Sequence, residues 1–440
     1  MTRIAVIGTG YVGLVSGACL SDFGNTVICV DTDTRKIDRL NAGEMTIFEP
    51  GLDDVVARNR SAGRLVFSID VADSIRASEA VFIAVGTPPA NDGSANMRYV
   101  EAAAHEIGRH LDGYKVIVDK STVPIGTGRA VRTIVRAEVD RRGRTDDFDV
   151  VSNPEFLREG SAVYDFMHPD RVVLGVESHK AAEVMKAIYR VLYLRETPFI
   201  ETTIESAEMI KYASNSFLAL KIAFANEIAN LCEGVGANVI DVMKALGRDG
   251  RIGPKFLHPG PGYGGSCLPK DTKALADTAR KTGIPLTIVD AVIAANERQK
   301  TRMISKIERA LGGLDGKRVA VLGLAFKPNT DDVRDAPSIT IVRELVARGA
   351  RVQAFDPVAM AEARSFFADI EDWVSYGAEE YETMKGADAL VILTEWNQFR
   401  NLDLAKAKLL LKQPILLDLR NIYDRTLVES SGFTYFGVGR

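Results

Sequence analysis

The sequence predicts an α/β protein built from two doubly wound, parallel-sheet domains joined by a long-helix central region. Three observations carry that prediction. Short, wholly apolar runs of the kind buried on both faces of a parallel sheet alternate with helical patterns from the first residues onward. The first run, Arg3-Ile4-Ala5-Val6-Ile7, leads directly into Gly8-Thr9-Gly10-Tyr11-Val12-Gly13. Beyond Asp315-Gly316 the theme starts again: Arg318 to Gly323 echoes Arg3 to Gly8, Arg351 to Asp356 echoes the run ending at Asp31, and Ala387 to Leu393 echoes Ser78 to Val85. A Rossmann-like pair is therefore expected, with residues 1–200 as a dinucleotide domain, 201–314 as the helical centre and 315–440 as the second Rossmann-like domain.

The glycine run stands in the context that its chemistry requires, after a strand and before a small-residue helix. Gly8 permits the tight turn, Gly10 lets a pyrophosphate approach the backbone, and Gly13 lets helix and strand pack closely. The second strand, Thr26 to Val30, ends in Asp31, placed to bond a ribose 2′-hydroxyl and to repel a 2′-phosphate, so NAD is expected rather than NADP. Lys36 is a further candidate at the adenosine end. The buried runs Glu79 to Val85 and Lys115 to Asp119 end in Gly86-Thr87-Pro88-Pro89 and Lys120-Ser121-Thr122-Val123-Pro124. Strand ends form the ligand crevice of such sheets, which makes Thr87 and Thr122 cofactor-side candidates. After Asp149-Val150-Val151, Glu155 and Glu159 are spaced to share one face if that stretch is helical.

From about Glu205 the pattern becomes one long helix running to Cys232, with Lys211 and Asn215 on a common face, suited to donating hydrogen bonds to a developing oxyanion. A second long helix is expected from Thr287 to Leu311. Between them lies Gly260-Pro261-Gly262-Tyr263-Gly264-Gly265-Ser266-Cys267-Leu268-Pro269-Lys270-Asp271. Pro269 suits a first helical turn, which puts Cys267 at a helix N-terminus, where backbone N–H groups and neighbouring Lys270 favour a thiolate. Cys267 is thus a candidate nucleophile, whereas Cys19, Cys29 and Cys232 lie in apolar patterns and read as core residues. No metal-ligand spacing is present among the four cysteines and five histidines. A formal net charge of −4 argues against a nucleic-acid partner. No apolar stretch suggests a membrane span or a signal peptide, so a cytoplasmic location is expected.

Six motifs in this order resemble the UDP-glucose/GDP-mannose dehydrogenase family across essentially the whole chain. They are Gly8 to Gly13, Phe48-Glu49-Pro50-Gly51-Leu52, Ser121-Thr122-Val123-Pro124-Ile125-Gly126, Asn153-Pro154-Glu155-Phe156-Leu157-Arg158-Glu159-Gly160, Gly264 to Asp271, and Ala325-Phe326-Lys327-Pro328. Asp165 to Val172 and Asn329 to Arg334 look like the UDP-glucose branch; His168 and Leu268 depart from the pattern.

The resemblance implies a four-electron, NAD-dependent oxidation of UDP-glucose to UDP-glucuronate through a Cys267 thiohemiacetal and thioester. GDP-mannose or a UDP-N-acetylhexosamine is the alternative substrate, and a non-catalytic nucleotide-sugar binding protein the alternative of another class. Lys211 and Asn215 would stabilise the oxyanion, and Asp271, Thr122 and Glu155 would position the hydrolytic water. Glu155, Phe156, Leu157, Arg158 and Glu159, the loop Phe256-Leu257-His258-Pro259-Gly260, Gly264 and Lys327 would hold the nucleotide sugar, together with Lys211 and Asn215. Tyr11, Val12, Glu159, Lys270 and Arg334 would lie on the NAD side. Arg251 would serve a neighbouring subunit's substrate, and Arg420 would face the diphosphate or uridine. A homodimer or higher homo-oligomer is expected, with the long helices as dimer surfaces.

Overall fold

A computed structural model describes residues 1–90 and 93–440. The chain divides into two compact units, Met1–Ser214 and Asn215–Arg440. Among the described residues the first unit holds eight strands: β1 (Arg3–Ile7), β2 (Thr26–Val30), β3 (Leu65–Ser68), β4 (Ala80–Ile83), β5 (Lys115–Asp119), β6 (Phe148–Ser152), β7 (Val172–Gly175) and β8 (Phe199–Thr202). Their order across the sheet is β3-β2-β1-β4-β5-β6-β7-β8, and β6–β7 is the antiparallel pair. The second unit holds β9 (Arg318–Leu322), β10 (Arg351–Phe355), β11 (Val374–Tyr376), β12 (Ala389–Ile392), β13 (Ile415–Asp418) and β14 (Thr434–Phe436). Its order, β11-β10-β9-β12-β13-β14, repeats the β3-to-β6 part of the first sheet with every pair parallel. Both sheets are thus doubly wound, as the recurrence of the opening theme predicts.

The apolar runs behave as strands covered on both faces. Within β1, Ile4 and Val6 pack into one core while Ala5 and Ile7 pack into another on the opposite face. The second sheet shares its core with the long helices, since Ala225, Ala229 and Cys232 and then Met303, Ile304 and Ile307 cluster with β9 and β12. The first of these helices is continuous from Ile204 to Val235 and the second runs from Thr287 to Leu311. Cys19, Cys29 and Cys232 are buried in these cores, as expected; burial pushes the Cys29 thiol up to about 12.

Close approach explains two of the three fingerprint glycines. Gly8 has φ +102°, and a Cβ there would lie 2.6 Å from the Ala84 carbonyl oxygen. A Cβ on Gly13 would lie 1.9 Å from the Gly8 oxygen, so this position is what lets the following helix, Tyr11–Asp22, sit against β1. Gly10 differs: its φ is −71°, and a Cβ there would meet nothing within 4 Å.

Gly13→Ala should therefore destabilise the protein by about 1–3 kcal/mol through overpacking, whereas Gly10→Ala should cost no more than about 1 kcal/mol. Thermal unfolding midpoints of the two variants beside the unmodified protein test this, and equal losses would contradict it.

Candidate active site

In the first unit the dinucleotide features converge at the end of β1. Gly10 caps the helix Tyr11–Asp22 without a side-chain hydrogen bond, and no acidic residue stands in the first turn. That leaves its leading N–H groups suited to an anion. Packing within the unit gives no reason for glycine at position 10. The carboxylate of Asp31 accepts from the Thr9 N–H at 2.8 Å, the Thr9 hydroxyl at 2.8 Å and the Asp33 N–H at 3.0 Å, with Lys36 Nζ at 4.0 Å. Burial opposes its ionisation, but these donors and the Lys36 charge hold Asp31 below the usual carboxylate range. Thr87 donates its hydroxyl to the Thr122 carbonyl at 2.8 Å, tying together the loops after β4 and β5 beside the point where strand order reverses. These residues fit a dinucleotide.

The Asn153–Gly160 stretch does not meet the condition for a shared helix face. It is an irregular loop, so Glu155 and Glu159 do not share a helix face. Pro154 disfavours a helical Asn153, and the Glu155 carboxylate accepts the nearby Leu157 N–H at 2.5 Å, a bond that competes with helix formation. Glu155 is buried and paired with Lys211 Nζ at 2.8 Å. Burial alone would raise the Glu155 carboxyl, but the charge and hydrogen bond of Lys211 hold it below the usual range. Behind this pair lies Lys120, which sequence reasoning did not single out. Its Nζ donates to Asn153 Oδ1 at 3.1 Å, and the Phe166 and Tyr189 rings flank it. Burial pushes Lys120 down to about 8, against the pull of the Glu155 charge. A lysine ending the apolar run Lys115 to Asp119 was the available signal.

In the second unit Cys267 is the N-cap of the helix Leu268–Lys281, as the proline spacing predicts, and is partly exposed. The first turn of that helix carries Asp271, whose buried carboxylate accepts from Asn215 Nδ2 at 2.6 Å and Lys270 Nζ at 2.5 Å. The glycine loop leading to the cysteine is held from two sides. Asn226 Oδ1 accepts the Gly260 N–H at 2.8 Å, Gln299 Nε2 donates to the Gly260 carbonyl at 2.8 Å, and Asn296 exchanges bonds with both backbone groups of Tyr263. These three buried amides on the long helices also escaped the sequence reading, because polar residues in a helical pattern look like a solvent face. On the other side, the Gly265 N–H donates to the Arg334 carbonyl at 2.9 Å and the Ser266 N–H to Asp332 Oδ2 at 3.1 Å. A Cβ on Gly264 would lie 2.6 Å from the Asp335 carbonyl oxygen, and one on Gly265 would strike the Phe326 ring.

Phe156 is flanked by Lys211 Nζ and by the Arg171 guanidinium, 3.8 Å from its ring centre. Arg158 forms a two-pronged pair with Asp165. Arg334 does the same with Asp332. Lys327 Nζ stands 5.2 Å from the Phe326 ring centre. Arg420 donates to the Leu393 and Phe326 carbonyls and lies against Gly260. Arg251 is 89% exposed at its side chain and pairs with Asp249. Leu257 and Pro259 are buried, whereas His258 is exposed and Phe256 holds a positive φ of 65°.

The second sheet repeats the acid of the first with a different outcome. Asp356 follows β10 as Asp31 follows β2, and its carboxylate accepts the N–H groups of Leu324, Ala325, Val358 and Ala359 and the Trp396 indole N–H. Fully engaged and 1% exposed, it has nothing to offer a ribose, in keeping with Leu324 to Pro328, which add no further glycine after Gly323. Among the described residues no cluster suited to a metal ion is present, and no helix is long and apolar enough to cross a membrane.

Comparison with known proteins matches this arrangement domain by domain. Residues 2–193 match the NAD binding domain of the UDP-glucose/GDP-mannose dehydrogenase family, residues 205–298 its central domain and residues 320–425 its UDP binding domain. UDP-glucose 6-dehydrogenase of Rhizobium meliloti (strain 1021) is 52% identical over 442 residues, spanning 100% of this chain and 99% of the relative. UDP-glucose 6-dehydrogenase TuaD of Bacillus subtilis (strain 168) is 49% identical, over 100% and 94% of the two chains. Among solved structures, a UDP-glucose dehydrogenase from Pyrobaculum islandicum superposes with a TM-score of 0.91 at 40% identity, covering 100% of this chain and 98% of that one. Three consecutive domains matched in order, on two doubly wound sheets with NAD-binding features at the first, show that the chain belongs to the UDP-glucose/GDP-mannose dehydrogenase family.

Proposed function

We propose that this protein oxidises the C6 alcohol of UDP-glucose to the carboxylate of UDP-glucuronate by way of a covalent intermediate on Cys267. The observation that carries the reading is the position of Cys267 at the N-cap of a helix whose first turn holds Asp271 bonded to Asn215 and Lys270. The family match and the full-length likeness to UDP-glucose 6-dehydrogenases favour this substrate over GDP-mannose or a UDP-N-acetylhexosamine.

NAD, when bound by Gly8, Gly10, Gly13 and Asp31, supplies the hydride acceptor for each of two oxidations, one NAD per oxidation. The first takes a hydride from C6 and a proton from its hydroxyl, leaving an aldehyde. The Cys267 thiolate adds to that carbon, the carbonyl electron pair moves to oxygen, and the oxyanion takes up a proton, giving a thiohemiacetal. Loss of a second hydride and of that proton leaves a thioester. Water then adds to the acyl carbon and the carbon–sulfur bond breaks, which returns the thiolate and releases the carboxylate and two protons to solvent. Asn215 and Lys211 stabilise the negative oxygen of these steps. An amide carries two N–H donors, so bonding one to Asp271 fixes the plane of Asn215 while a second points elsewhere. An aldehyde has no hydride to give until a nucleophile makes its carbon tetrahedral, which is the reason the second oxidation needs the thiol.

The helix Ile204–Val235 also presents an apolar face. Phe217, Phe224, Leu231 and Val235 are 60%, 45%, 59% and 68% exposed along the helix Ile204–Val235. Their spacing of seven, seven and four residues aligns them as one apolar seam, the pattern of a helix that packs on a partner helix. We infer that a second copy of this chain covers the seam.

Three results are expected. Cys267→Ala should release no UDP-glucuronate, while any NADH it forms stays near one equivalent per sugar consumed; near-normal product with two NADH per sugar would remove the covalent step. Asp31→Ala should narrow the preference for NAD over NADP by about 10-fold or more, the worth of a charge-assisted hydrogen bond of about 1.5–3 kcal/mol, read as the ratio of kcat/KM values. The unmodified protein should elute with a light-scattering mass of at least twice the 47.9 kDa chain, and Phe224→Glu should reduce it; a monomer at micromolar concentration would contradict the inferred assembly.

A further inference from the structure

Glu49 is buried in the first unit, remote in sequence from every residue assigned a role above, yet its carboxylate gathers three donors. It accepts the Tyr11 hydroxyl, the Gly160 N–H at 2.6 Å and the Ala162 N–H at 2.7 Å. The Gly160 N–H also reaches the Tyr11 hydroxyl, at 3.2 Å. Tyr11 is the first residue of the fingerprint helix, directly after Gly10. Gly160 closes the loop that carries Glu155 and Glu159, and Ala162 opens the helix Ala162–Met167, whose N-cap Ser161 makes no side-chain cap of its own. Glu49 thus supplies from another segment the acceptor that a helix start needs.

The geometry is rigidly determined on the Glu49 side. Gly51, at φ +78°, caps the next helix, Leu52–Ser61, and the Glu49 carbonyl accepts the Leu52 N–H at 3.2 Å, so the carboxylate is held by a turn rather than by a loose chain. Tyr11 and Leu157 also pack against one apolar cluster, which leaves few ways for one to move without the other. Burial, then the Glu49 acceptor and its charge, push the Tyr11 phenol far above its ordinary range, so it stays a donor.

We propose that Glu49 is a positioning residue that couples cofactor occupancy at the Gly10–Tyr11 turn to the order of the Glu155–Gly160 loop, so that binding of a dinucleotide prepares this loop for the nucleotide sugar. Nothing in the bond-making steps uses Glu49; it acts through Tyr11 on one side and two backbone N–H groups on the other. The inference rests on the functional reading above for the identity of the two ligands.

Two variants test it. Glu49→Gln replaces one acceptor oxygen by a donor that faces backbone N–H groups, and Tyr11→Phe deletes the hydroxyl while leaving Glu49 its two backbone partners. Hydrogen exchange is followed with and without NAD over residues 8–16 and over 155–162, and the dissociation constant of UDP-glucose is measured with and without NADH. In the unmodified protein NAD should slow exchange in both segments, and NADH should tighten UDP-glucose binding on the order of 10-fold, a typical coupling between sites. In Tyr11→Phe, whatever protection NAD gives 8–16, its protection of 160–162, the residues bonded to Glu49, should be lost and the coupling factor should fall to near 1. Glu49→Gln should do the same, and the double variant should be no worse than either single one, as for residues acting in one chain of contacts.

NAD protection of 160–162 that survives Tyr11→Phe, with the coupling factor unchanged, would overturn the inference even if Glu49→Gln fails to fold. In the unmodified protein, protection of 8–16 without 155–162 would overturn the coupling alone. No protection of 8–16 by NAD would overturn the functional reading and the coupling with it.

Discussion

The constraint on which the cysteine region depends is the burial of an irregular backbone. Residues Gly260 to Gly265 are buried, and a buried loop has no strand or helix partner for its N–H and carbonyl groups, each of which costs about 1–3 kcal/mol if left unpaired. Two long helices answer that need with Asn226, Asn296 and Gln299, and the segment after β9 answers it with the Arg334 carbonyl and the Asp332 carboxylate. The glycines follow from the same constraint, since Gly264 and Gly265 lie where a Cβ would strike backbone or ring atoms. A loop fixed from both sides delivers Cys267 to a helix N-terminus in one orientation. Preorganisation of this kind, rather than reactivity of the thiol alone, is what a covalent mechanism needs.

Buried charge is managed differently in the two units. Glu155 is compensated by Lys211 directly and by the field of Lys120 behind it, so a fully buried carboxylate remains ionised. Asp271 is shared between an amide and an ammonium group. Removing one partner from either arrangement would strand a charge, a loss larger than the net worth of the pair itself. The sites are therefore intolerant of single changes for reasons separate from chemistry.

Legibility in the sequence followed the strength of local signals. The glycine fingerprint, Asp31 and the strands flanking them could be read because each has a steric or electrostatic reason that acts within a few residues. The Cys267 helix start was legible from Pro269 alone. The Asn153–Gly160 loop was not, because an i, i+4 carboxylate spacing is indifferent to whether a helix exists, and Pro154 with the Glu155–Leu157 bond decides that it does not. Short edge strands such as β3 and β11, with three or four residues, are too brief to display a period. Asn226, Asn296 and Gln299 went unread because their partners lie far away in the chain, and a polar residue in an amphipathic helical pattern carries no mark of whether it meets water or a buried loop; Lys120 and Glu49 stood in motifs that were read, but nothing local pointed to Asn153 or Tyr11 as their partners.

The acid that follows the second strand of each sheet has a consequence for redesign. Asp356 shows that this residue can serve entirely as a staple, its carboxylate taken up by the turn after β9, the turn after β10 and Trp396. Asp31 performs the same stapling through both polar groups of Thr9. Converting the cofactor preference by substituting a small neutral side chain for Asp31 would therefore unfasten the turn that shapes the glycine fingerprint. A workable conversion has to retain an acceptor for the Thr9 N–H, as asparagine does, and introduce the positive charge for a 2′-phosphate from a neighbouring position such as Thr34, leaving in place both the staple and the Asp33 carboxylate that caps the helix Thr34–Ala42.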